Sequence, residues 1–295
     1  MKTEVKNKTI SIALATDERY LAPTLVVIHS LVKRSKELFN YDIYILSEEK
    51  LSFPAERCLH SAAGKHKNVK IKLITVGKRL NSLKLSSNGP IKGVTATTYL
   101  RFLLPELLPG IQRILYMDVD TVVLGDVAEI FNLETGDCCV AGVRDIAGFQ
   151  NKTERCAELN IPDLDHYINA GVLLMDLETF RKDRLSDIMI TAANKKAYTY
   201  NDQDIINSVC YNRIFCIPFR CNAIVDYLNH PEVISKEMGN DYLTETAEPI
   251  ILHYAGRSKP WYFPENKWSS FWWEVVKSFN MATRVMFRIY LNRLL

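Results

Sequence analysis

Over the first 120 residues, short apolar runs alternate with segments whose apolar residues recur at helical spacing, and this constrains the fold more than any other feature of the chain. Residues 10–15 form a short apolar run, and residues 21–32 follow with the spacing of a helix that buries one face. Residues 41–46 read as a second strand, 51–63 as a helix, and 69–74 as a third strand in which Lys alternates with apolar side chains. Residues 97–108 predict a helix bent or ended by Pro105. Residues 111–117 predict a fourth strand that runs into Asp118-Val119-Asp120. Strands separated by helices cannot pair through tight hairpins; they pair in parallel, and a parallel sheet needs cover on both faces. The expectation is therefore an α/β chain with an open, mostly parallel sheet. In the second half, 138–143, 170–175 and 249–254 read as buried strands, and 186–195 and 203–211 as helices. No internal repeat, low-complexity run or Pro/Gly linker interrupts the 295 residues. The simplest division is one catalytic domain, residues 8–264, with a C-terminal appendage, 265–295.

Composition narrows the function classes. Hydrophobic residues at 47% and charged residues at 24% exclude a disordered chain or a fibre. A net charge of +3 is too small to mark a nucleic-acid binder. From Lys267 onward there are five bases and one acid, so the basic excess sits in the tail and the rest of the chain carries −1. The seven cysteines include no C-x-x-C, so neither a zinc ribbon nor a thioredoxin-type site is indicated, and reduced thiols in a cytosolic protein are expected. Residues 1–9 are polar and basic with no adequate apolar region behind them, so no signal peptide is expected, and no run of apolar residues predicts a spanning helix.

The common nucleotide loops are absent: there is no G-x-G-x-x-G and no G-x-x-x-x-G-K-[ST]. The informative feature is Asp118-Val119-Asp120 behind the apolar strand. In extended backbone, residues two apart point to the same side. Two carboxylates would thus converge at the C-terminal end of a strand, where open α/β sheets bind ligands. Such a pair suits a hard divalent cation that can bridge a diphosphate, and a solvated turn is the plain alternative. Asp163-Leu164-Asp165 and Asp202-Gln203-Asp204 share the spacing, so strand context carries the reading. His253 follows the run Ile250-Ile251-Leu252; an imidazole added to two carboxylates would favour Mn²⁺ over Mg²⁺. Gly256 allows close backbone approach, and Lys259 could pair with a phosphate or be an ordinary loop lysine. Asn169-Ala170-Gly171 opens a buried strand and could face a polyhydroxylated ligand or form a turn. Asp202-Gln203 begins a helix, where Asn201 or Asp202 is a good N-cap.

Together these stretches resemble the retaining glycosyltransferases of family 8, which include bacterial lipopolysaccharide galactosyl- and glucosyltransferases and the glycogenins. The matching stretches are residues 15–20 (ATDERY), 97–102 (TTYLRF), 115–120 (LYMDVD), 167–174 (YINAGVLL), 201–204 (NDQD) and 253–261 (HYAGRSKPW), in the family's order. The resemblance implies a GT-A fold, a single Rossmann-like mixed-sheet domain, with a UDP-sugar donor and Mn²⁺, Mg²⁺ being the second choice. By motif position Asp118, Asp120 and His253 hold the metal. Ala15 and Asp17 line the uridine pocket, Thr16 and Val119 are further donor-binding positions, and Gly256 and Lys259 hold the diphosphate. Arg101, Asn169, Ala170, Gly171, Asp202 and Gln203 surround the donor sugar, and Asp145 falls at a further sugar contact. Gln203 and Asp202 are the expected catalytic pair. Many members carry Asn where this chain has Arg19.

The tail reads independently. Trp268, Trp272, Trp273, Phe279 and Phe287 are interleaved with Lys277, Arg284 and Arg288, which share one helical face. A basic, aromatic amphipathic helix suits an anionic membrane surface; the alternative is a helix packed on the core with its basic face in water. The expectation is a retaining hexosyltransferase moving glucose or galactose to a glycan or glycolipid acceptor of the cell envelope, at the cytoplasmic face of the membrane. A self-glucosylating primer and a non-catalytic glycan- or membrane-binding scaffold remain the alternatives.

Overall fold

The computed structural model describes residues 8–77, 79–80, 83–84, 96–146, 151–232, 234 and 241–295. The polar N-terminal stretch lies outside the described residues up to Asn7. Seven strands form the main sheet, in the order β3-β2-β1-β4-β7-β6-β8. They are β1 (Thr9–Ala15), β2 (Asn40–Ser47), β3 (Val69–Thr75), β4 (Arg113–Met117), β6 (Val140–Arg144), β7 (Ile168–Asp176) and β8 (Ile214–Cys216). The first four are parallel, as the alternation predicts. β7 runs antiparallel to both neighbours, which makes the sheet mixed. A small second sheet, β5-β10-β9, is built from β5 (Thr121–Val123), β9 (Ala223–Ile224) and β10 (Ile251–His253).

Strand alternation splits the core in two. Ile10, Ile12 and Leu14 of β1 face the layer that holds the Leu21–Arg34 and Phe53–Ala63 helices, while Ala13 and Ala15 face the layer that holds the Leu185–Lys195 and Asn201–Val209 helices. Strand order reverses between β1 and β4, because β2 and β3 lie on one side and β4 and β7 on the other. Such a reversal leaves a crevice beyond the carboxyl ends of the strands, and that is where the functional side chains gather.

One local expectation is corrected. Residues 97–108 do not form one α-helix: Ala96–Leu103 is a 3-10 helix, and a single α-turn, Leu104–Leu107, follows it with Pro105 in its first turn. The β-branched pair Thr97-Thr98 disfavours the α-helix, and Pro105 is tolerated only at a helix start. The appendage is two helices, Ser269–Lys277 and Met281–Leu294, and most of their large apolar side chains pack on the core. Trp272, Phe279, Phe287 and Tyr290 are buried in the same cluster as β1 and the Leu21–Arg34 helix, with the Trp272 and Phe287 ring centroids 5.4 Å apart. The Leu21–Arg34 helix is buried nearly all round and needs this second layer of cover.

Candidate active site

β4 ends at Met117, and Asp118-Val119-Asp120 forms the turn into β5. The carboxylates therefore converge through a turn and not through the pleat of a strand. The turn is pinned on both sides: the Asp118 N–H donates to Gly171 O at 2.7 Å, and the Thr121 hydroxyl donates to Asp118 O at 2.9 Å. The antiparallel pairing of β10 with β5 sets His253 opposite Thr121, one residue past the pair. One oxygen of each carboxylate and one nitrogen of His253 all lie within 4.8 Å of one another. His253 Nε2 stands 3.3 Å from Asp120 Oδ1 and 4.0 Å from Asp118 Oδ2. The two other carboxylate oxygens are engaged elsewhere. Asp118 Oδ1 accepts from Arg101 Nη2 at 2.8 Å and from the Tyr116 hydroxyl at 3.0 Å, and Asp120 Oδ2 pairs with the Lys259 ammonium. Asp120 Oδ1 is left buried with no hydrogen-bond donor. Burial raises the Asp120 carboxyl, but the Lys259 ammonium and the adjacent His253 outweigh it and hold the group below the usual carboxylate range. A buried anionic oxygen without a donor, facing an imidazole nitrogen, fits a divalent cation.

Arg101 organises the neighbouring wall of the cavity. It is 2% exposed, and its guanidinium lies 4.1 Å from the Tyr116 ring centroid. It donates to Asp118, to the carbonyls of Thr98 and Ala170, and its Nε lies 3.1 Å from Asp202 Oδ2. Asp202 Oδ1 accepts from the Thr98 hydroxyl at 2.6 Å, while Asp202 Oδ2 is buried without a hydrogen-bond donor. Asp202 does not cap its helix, as its position suggests it should: Tyr200 is the N-cap, its N–H donating to Asp204 Oδ2 at 2.7 Å. Arg101 and Thr98 hold Asp202 instead, and the helix has no side-chain cap. Burial pushes the Asp202 carboxyl up to about 6, against the pull of Arg101. Asp202 and Asp204 have the same spacing as Asp118 and Asp120, yet on a helix they diverge, Asp204 meeting Arg155 and Tyr167.

Gln203 is fully engaged. Its Oε1 accepts from the Ala170 N–H at 3.0 Å and Asn169 Nδ2 at 3.2 Å; its Nε2 donates to Asp145 Oδ2 at 3.0 Å and to the Tyr167 hydroxyl at 3.2 Å. Asp145 is buried behind Gln203 and Asn169, and Tyr227 donates to its other oxygen.

A cavity of about 900 Å³ is lined by Arg101, Asp118, Asp120, Asn169, Ala170, Gly171, Asp202, Gln203, His253, Gly256 and Lys259. A cleft of about 150 Å³ beside it is lined by Ala15, Thr16, Asp17 and Val119, and both share Asp118, Asp120, Thr98 and Arg101. Gly256 has a φ of +77°, and a Cβ there would run into the Asp226 carboxylate, which accepts from the N–H groups of Arg257 and Ser258 at 3.2 Å each. The structure thus brings every sequence-predicted residue to one crevice, with Asp145 as a support behind its wall. Sequence reasoning missed Asn222, Tyr227 and Asp226, none of which lies in a recognisable motif. Thr98 and Tyr116 lie inside matched stretches, so they were within reach.

Residues 11–264 match the model of the family described as glycosyl transferase family 8. The general stress protein A of Bacillus subtilis (strain 168) is 31% identical over 175 residues, covering 57% of this chain and 60% of that protein. The lipopolysaccharide 1,2-glucosyltransferase of Escherichia coli (strain K12) is 26% identical over 274 residues, covering 89% of this chain and 75% of the relative. Among solved structures, the bifunctional glycosyltransferase WbbM superposes with a TM-score of 0.81 at 22% identity, over 97% of this chain and 52% of that one. The galactosyltransferase LgtC, in complex with donor and acceptor sugar analogues, superposes with a TM-score of 0.75 at 22% identity, over 92% of this chain and 97% of that one. The architecture is the GT-A fold that the sequence led us to expect. The chain spans 60% of the length of the general stress protein and about half of WbbM.

Proposed function

The chain belongs to glycosyl transferase family 8, and we propose that it is a retaining transferase that moves glucose or galactose from a UDP-sugar to a cell-envelope glycan such as lipopolysaccharide. The observation that carries this reading is the pair of buried, donorless carboxylate oxygens in one cavity, Asp120 Oδ1 beside His253 and Asp202 Oδ2 beside Arg101. Neither oxygen accepts a hydrogen bond, although Asp202 Oδ2 stands in an ion pair with Arg101 at 3.1 Å: a cation would complete the first and a sugar hydroxyl the second. The Escherichia coli relative is a lipopolysaccharide 1,2-glucosyltransferase, which supports the acceptor class.

In this reading Asp118, Asp120 and His253 hold Mn²⁺, which when bound supplies positive charge to the diphosphate of the departing UDP. Lys259 adds a second positive charge at the same end, and Asp202, Arg101 and Asn169 orient the hexose. The bond from the anomeric carbon to the phosphate oxygen breaks, and the sugar becomes oxocarbenium-like. The acceptor hydroxyl then attacks from the face UDP leaves, its proton passing to the departing phosphate oxygen as the new C–O bond forms. Gln203 supports same-face attack over double displacement: its Oε1 already accepts two hydrogen bonds, so the amide is a poor nucleophile. The exposed rings of Tyr262 and Phe263 at the cavity mouth offer flat apolar faces to an acceptor sugar.

Peripheral membrane contact is part of the proposal, on a narrower surface than the whole tail. No described helix is long and apolar enough to cross a membrane. The Met281–Leu294 helix leaves Met281, Val285 and Ile289 exposed at 84%, 54% and 43%, at intervals of four, with the exposed Arg284 and Arg288 beside them. A short apolar ridge flanked by bases suits an anionic lipid surface.

The test of the activity is UDP release from a panel of UDP-sugars, with and without Mn²⁺. One donor should be hydrolysed or transferred in a Mn²⁺-dependent way, and Asp120→Ala should lower the rate by roughly a hundredfold or more. Release that survives Asp120→Ala contradicts the metal assignment.

A further inference from the structure

We propose that Asn222 is a positioning residue that fixes the His253 imidazole in the one tautomer able to bind a divalent cation, and so ties that cation to the donor-sugar wall of the cavity. The inference rests on the metal reading of Asp118, Asp120 and His253. Asn222 lies outside every matched motif and does not line the cavity; it is fully buried just before β9, the strand that pairs with β10.

The direction of each hydrogen bond can be deduced from groups that have no choice. The Gly171 backbone N–H can only donate, and it donates to Asn169 Oδ1 at 2.9 Å. On the other side of the same amide, Asn169 Nδ2 meets the Asp145 carboxylate at 2.9 Å. Flipping Asn169 would set two donors against each other at Gly171 and two acceptors against each other at Asp145, so its orientation is fixed twice over. Asn169 Oδ1 therefore needs a donor from Asn222, and Asn222 Nδ2 supplies it at 2.9 Å. That choice turns Asn222 Oδ1 toward His253 Nδ1, 3.0 Å away. An amide oxygen can only accept, so Nδ1 carries the proton and donates it. In the neutral ring the lone pair is then on Nε2, the nitrogen 3.3 Å from the donorless Asp120 Oδ1.

The chain of inference runs from one backbone amide, through Asn169 and Asn222, to the ring nitrogen that faces the cation position. The same Asn169 side chain bonds Gln203 and stands in the cavity wall beside Gly171. Metal-ligating histidines usually donate their second N–H to such a partner, and removing it typically weakens metal affinity about 10–100-fold. With Asn222 gone, the ring can tautomerise or rotate, and Asn169 loses one of two donors.

Two readouts test this. The first is Mn²⁺ affinity, from electron paramagnetic resonance of free Mn²⁺ in titrations of wild type, Asn222→Ala and Asn222→Asp. The second is the His253 tautomer, from ¹⁵N–¹H imidazole correlations in the metal-free protein at about pH 8, above the ordinary imidazole range. The His253 signals are assigned by comparison with His253→Gln. Asn222→Ala should weaken Mn²⁺ binding about 10–100-fold and lose the single Nδ1–H tautomer. Asn222→Asp keeps an acceptor for Nδ1–H and should restore both, while setting an oxygen against Asn169 Oδ1. A wild-type ring protonated at Nε2 overturns the proposal without any variant, which covers the case in which Asn222→Ala fails to fold. A folded Asn222→Ala that binds Mn²⁺ within about twofold of wild type also overturns it. Failure of the wild type to bind Mn²⁺ overturns the metal reading and this inference with it; binding that is indifferent to Asn222 overturns this inference alone.

Discussion

A Cβ on Gly171 would sit 2.7 Å from His253 Nδ1, inside the distance real side chains tolerate. The imidazole packs directly on that backbone, so the glycine belongs to the proposed cation site although it carries no donor atom. Gly171→Ala should cost about 1–3 kcal/mol through overpacking and weaken Mn²⁺ binding by roughly tenfold or more. Thermal melts and a Mn²⁺ titration check the two parts separately. Asp202 makes a pH prediction. Burial raises its folded pKa to about 6, from about 3.9 in an unfolded chain. The folded protein therefore binds the extra proton between these values, and the stability it contributes is present below pH ~4 and lost as pH rises through about 6. Asp202→Asn removes that titration, so its melting temperature relative to wild type should rise between pH 4 and 7 in metal-free melts; a constant difference would contradict the burial argument. At this scale the sequence was readable wherever a residue type is rare in its setting. Two acids behind an apolar strand and a histidine at the end of another stood out. Asn222 did not, because an asparagine in a short connection looks like any turn residue until its partners are known.

The elements place these residues by pairing and not by proximity in sequence. His253 lies 133 positions beyond Asp120 and meets it because β10 pairs with β5 in a register that sets His253 against Thr121. β5 has three residues and β9 two, too short for any periodicity to reveal, so the second sheet could not be foreseen. The tail shows the opposite limit. Its amphipathic pattern was legible, but a pattern does not say whether the apolar face meets lipid or core. Trp272→Ala should cost about 3–5 kcal/mol, since the indole is buried among Phe287, Trp261 and Trp273. Chemical denaturation measures that cost. By contrast, Met281→Ser, Val285→Ser and Ile289→Ser together should leave the melting temperature within a few degrees and remove binding to anionic vesicles. Vesicle binding that survives the triple change would show that this ridge is not the contact.

Across the whole molecule, the parallel half of the sheet follows from the βα alternation, and the reversal between β1 and β4 creates the crevice. The antiparallel β7 contributes Asn169, Ala170 and Gly171 to the same crevice from the other side, so the cavity is closed by the part of the sheet that local pattern describes least well. Retention makes a prediction about the product: an α-linked UDP-hexose should yield an α-linked glycoside, read from the anomeric coupling constant by NMR, and a β-linked product would exclude the same-face course. The central claim is that this crevice binds UDP through a cation held by Asp118, Asp120 and His253. Calorimetric titration of UDP into the protein, with and without Mn²⁺, tests it most directly. The account predicts binding that strengthens at least tenfold with Mn²⁺ and loses that gain in Asp120→Ala; UDP binding of equal strength with and without the cation would contradict it.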